Sequence, residues 1–171
     1  MVTRFLLARL DAEERRLGVS LDYLRHILRA SPAAFLKFAM LFPLSKHRRS
    51  LPPAAYHVAR ILAAQHEDCG TCLQVEINLA REAGVSREVV QAALHGSTAS
   101  MSPEIEDVYY FVRDVLEGGS DERGFRMRVR ERYGEEGLVE LAIAIAIARM
   151  FPTTKRALGY ATKCALVQIE L

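Results

Sequence analysis

Apolar residues recur at helical spacing through the first 50 residues, which predicts three short helices. The first helix ends at Gly18, and Ser20 is placed to cap the second. Ser31 and Pro32 are the typical N-cap and first-turn residues of a third helix over residues 33–41. The chain therefore opens with a group of helices that each have one apolar face.

The same periodicity continues along the rest of the chain, with proline at helix starts and glycine at helix ends. The predicted helices cover residues 53–64, 69–84, 86–95, 103–117, 120–132, 135–150 and 154–168. Residues 141–148, LAIAIAIA, alternate at period two and could be a strand, but helical patterns flank them and no partner strand is evident. We interpret them as a buried helix.

These elements predict an all-α protein with one domain over residues 1–171. Residues 1–50 supply N-terminal helices, residues 51–96 a core that contains a Cys-x-x-Cys motif, and residues 97–171 the C-terminal helices. The small alanines of residues 142–148 suit close helix contact between subunits, and the hydrophobic content exceeds what a monomer must bury. We expect a homo-oligomer, with a trimer or hexamer favoured over a dimer.

Composition and charge narrow the class of protein. Half of the 171 residues are hydrophobic and 26% are charged, which excludes a disordered chain. The net charge of +2 gives no reason to expect a nucleic acid partner. The longest apolar run, residues 141–148, is far shorter than the roughly 20 residues of a membrane span. No targeting signal is evident, so we expect a soluble cytoplasmic protein without a membrane partner.

Two segments of the chain are rich in basic residues, although the net charge of the whole chain is small. Residues 45–50, SKHRRS, are either a solvated loop or a contact for an anionic ligand or partner. The arginine-rich residues 123–132 alternate with acids, which is typical of a solvated or subunit-facing helix.

The chemistry of the chain is concentrated at Cys69 and Cys72, three residues apart at a predicted helix start. This spacing places both sulfurs on one side of the first turn, where the helix dipole favours a thiolate. Glu76 lies one turn further along the same face and is able to exchange a proton. Three interpretations compete: buried structural cysteines, a zinc site completed by His57 or His66, and a redox dithiol. The missing second cysteine pair weighs against zinc, and no metal or other cofactor is implied.

The stretch around these cysteines resembles the alkylhydroperoxidase D-like and carboxymuconolactone decarboxylase-like superfamily. That family carries an acid about twelve residues before Cys-x-x-Cys-x-x-x-His. Here His57 stands twelve residues before Cys69, and Glu76 four residues after Cys72, so the two residue types are exchanged. Residues 133–140 and 155–161, YGEEGLVE and KRALGYA, also resemble members of the family, and the likeness covers roughly residues 50–165.

The resemblance implies an alkylhydroperoxidase D-like helical fold with a helix, Cys-x-x-Cys, helix core. It also implies that Cys72 forms the sulfenic acid and that Cys69 resolves it to a disulfide. From the residues alone the order stays open, because the helix start lowers the pKa of Cys69 while the acids Glu67 and Asp68 oppose its ionisation. We expect His57 and Glu76 to form a proton relay beside the sulfurs.

The sequence thus predicts an enzyme, a thiol-dependent hydroperoxide reductase or disulfide reductase. Its partners would be a hydroperoxide substrate and an external dithiol reductant. Two alternatives remain: a lyase like carboxymuconolactone decarboxylase, and a non-enzymatic helical oligomeric binding protein. The third cysteine, Cys164, is expected to be a buried structural thiol.

Overall fold

The computed structural model describes residues 2–161, and within them the chain is all-helical with no strand. The helices are α1 (Val2–Leu17), α2 (Asp22–Ala30), α3 (Pro32–Phe38), α4 (Leu41–Leu44), α5 (Pro53–His66), α6 (Gly70–Glu82), α7 (Arg87–His95), α8 (Pro103–Glu117) and α9 (Phe125–Ala157). A short 3₁₀ turn, Thr98–Ser100, connects α7 to α8. The predicted all-α class is confirmed for this part of the chain, and residues 141–148 are helical.

Local capping explains most of the helix starts and ends. The Ser31 hydroxyl accepts a hydrogen bond from the Ala34 N–H (3.2 Å), as an N-cap does. Ser86 caps α7 in the same way through Val89. Gly118, with φ of +72°, ends α8 in the left-handed conformation that glycine adopts without strain.

The C-terminal helices differ from the prediction in two places. A helix was expected to begin at Ser120, but α9 begins at Phe125. The predicted boundary at Gly134 is confirmed, because this residue (φ +72°, ψ 179°) is not helical and divides α9 at a kink into two helical segments. The separate last helix predicted over residues 154–168 is not formed at its start, because α9 continues to Ala157 and the chain then turns. Residues 162–168 and Cys164 lie outside the described residues.

The main core is built around α5, in which every residue from Ala55 to Ala64 is buried. This helix packs against α6, α7, α8 and α9. Its alanines at positions 55, 59, 63 and 64 present little side chain, so neighbouring helices approach closely. Because α5 also ends three residues before Cys69, this packing fixes the chain that leads to the cysteine pair.

The N-terminal helices bury a second, smaller apolar cluster of their own. Its buried members are Leu10, Leu21, Tyr23, Leu24, Leu28 and Phe35. The cluster meets the main body where the rings of Phe38 and Phe42 pack on Phe151, with each pair of ring centroids 5.9 Å apart. The Asn78 side chain also donates to the Leu17 carbonyl (3.0 Å). The first 50 residues therefore form a layer packed on one side of the main core.

The long helix α9 has the length and composition to cross a membrane, with a mean hydropathy of 1.4 over its best 18 residues. Of that window, 44% is buried inside the molecule. Core helices of soluble proteins meet the same criterion. Here the packing of α9 on α5 and α8 accounts for its buried apolar residues.

Candidate functional site: the Cys69–Cys72 pair

The two cysteines meet at the start of α6. Cys69 is the N-cap residue in an extended conformation (φ −121°, ψ 92°), and Asp68 before it has a positive φ of 49° that turns the chain out of α5. Both cysteines are free, and their Sγ atoms lie 2.9 Å apart. Cys69 is 6% exposed, while Cys72 is half-buried. The predicted placement of both sulfurs on one side of the first turn is therefore confirmed.

The surroundings shift the pKa values of the two thiols in opposite directions. A hydrogen bond from the Cys72 S–H stabilises the ionised form of Cys69, burial opposes ionisation, and the Cys72 N–H together with Lys155 and Arg156 favours it. The result is a pKa of about 6 for Cys69, below the usual thiol value. The pKa of Cys72 is raised, because this thiol holds the shared proton, is buried and faces the charge of Cys69. The thiolate of the pair therefore belongs on Cys69.

Lys155 is the cation common to both sulfurs, since its charge favours ionisation of Cys69 and of Cys72. It lies on the last turn of α9 and is only 7% exposed. Within residues 2–161 its ammonium group forms no salt bridge. A buried lysine without a carboxylate partner leaves its charge available to the thiolate.

Tyr23 of α2 interacts electrostatically with the pair. Burial raises the pKa of its phenol, and the charges of Cys72 and Cys69 raise it further. Sequence reasoning missed both Tyr23 and Lys155. Lys155 stood within the tail that carried the family resemblance, but no local signal linked either residue to the cysteines.

Glu67, just before the pair, is held by α9. Its carboxylate accepts from Arg149 Nε (2.7 Å) and Arg156 Nη1 (3.3 Å), and Arg156 also donates to its carbonyl. Burial alone would raise the pKa of Glu67, but these hydrogen bonds and charges outweigh it and lower the pKa. The negative charge that was expected to oppose the Cys69 thiolate is thus compensated by two arginines.

Glu76 contacts a different residue from the one expected. Its two oxygens accept from Nε and Nη2 of Arg60, both at 2.7 Å, and both side chains are almost fully buried. Arg60 also donates to the Ser45 carbonyl (3.1 Å), to which the Tyr56 hydroxyl donates as well (2.7 Å). The two carboxylate oxygens of Glu76 are therefore committed to the guanidinium.

His57 does not complete the predicted relay with Glu76. It is 8% exposed, its Nδ1 has no hydrogen-bond partner among the described residues, and its ring meets the Tyr56 ring edge-on. Burial and the charges of Arg60 and Arg48 lower the pKa of His57 to about 4, so the imidazole is neutral at pH 7. The expected His57–Glu76 pair is not formed, because Arg60, one helical turn from His57, occupies the carboxylate.

Metal ligands are not assembled in the part of the chain that the structure describes. No group of three or more His, Cys, Asp or Glu side chains there could hold an ion. His66, one of the two histidines weighed as a zinc ligand, is exposed at the end of α5. The chemistry that the pair supports is therefore that of two thiols and the charges around them.

Comparison of the chain with protein-family models, curated proteins and solved structures finds no match. The all-helical class is confirmed by the described residues, whereas the superfamily resemblance stays a prediction from the Cys-x-x-Cys stretch. The chemistry of this site has to be inferred from its own residues.

Proposed function

We propose that this protein is a cysteine-dependent oxidoreductase, a thiol-dependent hydroperoxide reductase or disulfide reductase that cycles Cys69 and Cys72 between dithiol and disulfide. The observation that carries the proposal is the contact between the two sulfurs, which lie 2.9 Å apart. A disulfide needs about 2.05 Å between sulfurs, so its formation requires only a small movement within one helical turn. The surrounding charges favour one thiolate at neutral pH.

With a hydroperoxide ROOH as substrate, the Cys69 thiolate attacks the terminal oxygen. The O–O bond breaks, Cys69 becomes a sulfenic acid, and the alkoxide RO⁻ leaves and takes a proton from water to give ROH. The Cys72 thiol then attacks the Cys69 sulfur, which releases water and forms the disulfide. Two electrons have passed from the dithiol to the peroxide.

Return to the reduced pair requires an external dithiol, which is oxidised to its own disulfide. Cys72 regains its proton, Cys69 returns to the thiolate, and one proton is released to solvent. The same exchange, run with a disulfide substrate in place of the peroxide, is the disulfide reductase activity. Neither direction needs a bound cofactor, because the electrons are carried by sulfur throughout.

The order of attack in this proposal differs from the order that the family resemblance implies. The resemblance assigns the sulfenic acid to Cys72, whereas the pKa of Cys69 is lowered and that of Cys72 is raised. Nucleophilic attack requires the thiolate. We therefore assign the first attack to Cys69 and the resolving role to Cys72.

Thiol titration tests the function. In a Cys164→Ser background, the protein is treated with one equivalent of hydroperoxide, or of a small disulfide, and free thiols are counted. Loss of both remaining thiols, reversed by dithiothreitol, is expected. If both thiols survive both oxidants, the proposal is wrong. The Cys69→Ser/Cys72→Ser variant is the matched control, and its unchanged helicity would exclude a purely structural role for the cysteines.

The proposal extends to assembly and location. Exposed apolar residues Val139, Ala142, Ala146 and Met150 share one face of α9, which suits a contact between copies in a homo-oligomer, trimer or hexamer. A dithiol that must be re-reduced suits the reducing cytoplasm. Light scattering at micromolar concentration tests the assembly, and a monomeric mass would contradict it.

A further inference from the structure

Helices α3 and α4 form one right-handed stretch, because the residues between them, Ala39 and Met40, keep helical dihedrals (φ −63° and −66°). The side that faces the molecule is apolar: Phe35 is 3% exposed, and Phe38 and Phe42 pack on Phe151. The apolar residues of this inner side are therefore explained by their packing within the N-terminal cluster.

The opposite side of the same stretch is apolar as well. Leu36, Met40 and Leu44, four residues apart, are 53%, 70% and 40% exposed, and we call these three residues the apolar ridge. Residues at this spacing lie on one side of a helix. A surface helix of a soluble protein normally presents polar residues outward, so the ridge marks a surface for contact.

Positive charge is concentrated around the ridge. Residues 23–66 contain seven Lys and Arg residues and no Asp or Glu. Two of the seven are neutralised, Arg25 by acids of α1 and α2 and Arg60 by Glu76. Lys37, Lys46, Arg48 and Arg49 lie on the ridge helices or in the connector directly after them, and we call them the basic rim.

Among the described residues no carboxylate neutralises the basic rim, although Arg48 donates a hydrogen bond to the Leu51 carbonyl (2.8 Å). All four side chains are exposed, and within residues 2–161 none of them forms a salt bridge. The buried carboxylate of Glu140 does reach this segment from α9. It accepts, however, from the backbone N–H groups of residues 49–51 and not from the rim side chains.

We propose that the apolar ridge and basic rim form a docking surface for a bilayer that contains anionic lipids. The ridge inserts among the acyl chains, and the rim contacts the lipid phosphates. The apolar stretch Pro32–Leu44 is about 20 Å long, shorter than the roughly 30 Å of hydrocarbon, so it lies in the interface and does not span.

Charge complementarity favours lipid over the other occupants of such a surface. A nucleic acid would use the rim, but three exposed aliphatic side chains offer nothing to its phosphates. A second copy of the chain would bring the same positive charges together, which costs free energy. The expectation of no membrane partner rested on the short apolar run and on the lack of a targeting signal, and neither criterion detects a surface that combines exposed apolar residues with positive charge.

Vesicle sedimentation of the full, reduced protein tests the proposal, with vesicles of phosphatidylcholine alone and of phosphatidylcholine mixed with phosphatidylglycerol. We expect binding only to the mixed vesicles, weakened by salt. Lys46→Gln with Arg49→Gln should lower the affinity about 25-fold, at about fivefold for each charge. Leu36→Ser with Met40→Ser should lower it more than about tenfold.

The matched control is Met127→Ser with Arg130→Gln, which makes the same kinds of change at exposed positions on α9 and should bind like the wild type. Equal binding to both vesicle types, or equal loss in the control, would overturn the proposal. The proposal would also be overturned if the protein bound no vesicles but bound single-stranded RNA in a salt-sensitive way, and if the serine variant bound that RNA equally well. If the protein self-associated and only the serine variant abolished this, the ridge would be a contact between two copies of the chain, and the proposal would be wrong.

Discussion

Glu76 and Arg60 form a bidentate salt bridge between α6 and α5, with both O···N distances at 2.7 Å. Their side chains are 5% and 2% exposed, so the two charges depend on each other for stabilisation. Because Glu76 lies one turn after Cys72, this contact fixes the rotation of the helix whose first turn presents the cysteines.

Removal of one partner should be far more costly than removal of both. Glu76→Leu leaves the Arg60 charge buried without a counterion and should lower the free energy of unfolding by about 3–5 kcal/mol. Arg60→Met together with Glu76→Leu leaves no buried charge and should cost much less. Urea unfolding at pH 7 measures both variants.

The exposed salt bridge between Glu82 and Arg16 provides the matched control on the same helix. Glu82→Leu should cost at most about 1 kcal/mol, because solvent screens that pair. If Glu76→Leu cost no more than Glu82→Leu, the buried salt bridge would not stabilise the fold as inferred.

The order of the two cysteines is testable through the pH dependence of alkylation. In the Cys164→Ser background, iodoacetamide should modify Cys69 with a midpoint at a pH of about 6, since that is the pKa of its thiol. Cys69→Ser should leave Cys72 reactive only in alkaline solution, because burial still opposes its ionisation when the Cys69 thiolate is gone. Fragment-ion mass spectrometry identifies the modified residue.

Two substitutions of Cys72 distinguish the effect of its hydrogen-bond donor from the effect of its sulfur atom. Cys72→Ser keeps a hydroxyl that donates to the Cys69 sulfur, so the low midpoint should largely remain. Cys72→Ala removes the donor and should move the midpoint upward. Modification of Cys72 before Cys69 at neutral pH would instead support the order that the family resemblance implies.

Lys155 is expected to act on the reactivity of Cys69 through its charge. Lys155→Met should remove about 1 kcal/mol of thiolate stabilisation, which lowers the alkylation rate at about pH 5 roughly fivefold. At that pH the rate is proportional to the ionisation constant of Cys69, so the effect is fully visible.

The conservative variant distinguishes charge from packing. Lys155→Arg should retain most of the rate, and Lys37→Met, at an exposed position, should leave it unchanged. If Lys155→Arg slowed alkylation as much as Lys155→Met, the role of the residue would be structural.

Sequence reasoning succeeded where the chemistry is local. Ser31 and Ser86 were recognised as helix starts because an N-cap contacts a backbone N–H only three residues away. The contact between Cys69 and Cys72 followed from helical spacing in the same way. Gly134 was likewise recognised as a helix boundary, because glycine adopts without strain the positive φ (+72°) that interrupts the helical conformation there.

The site itself was recognised only in part. His57 and Arg60 lie one turn apart on α5, and spacing alone does not say which of them meets Glu76. A planar guanidinium with two donors matches a carboxylate better than an imidazole does, which explains the outcome. Lys155 and Tyr23 come from helices remote in sequence, so only the packed structure brings them to the sulfurs.

His57 gives the molecule a predictable sensitivity to acid. Burial and the charges of Arg60 and Arg48 lower its pKa from 6.5 to about 4 in the folded protein. Between these values the unfolded chain binds a proton that the folded chain does not, so acid favours unfolding. The stability that neutral His57 confers is fully present above pH 6.5, and about 2–3 kcal/mol of it should be lost by about pH 4.5.

Urea unfolding of the wild type and of His57→Gln at pH 7 and at pH 4.5 measures this loss. Carboxylates titrate in the same interval, so the informative quantity is the wild-type change minus the variant change. His47→Gln, at an exposed position, should show the full wild-type loss. Parallel behaviour of His57→Gln and the wild type would contradict a neutral, buried His57. If only His57→Gln lost less unfolding free energy between pH 7 and pH 4.5, the difference in proton binding between the folded and unfolded states would arise at this imidazole.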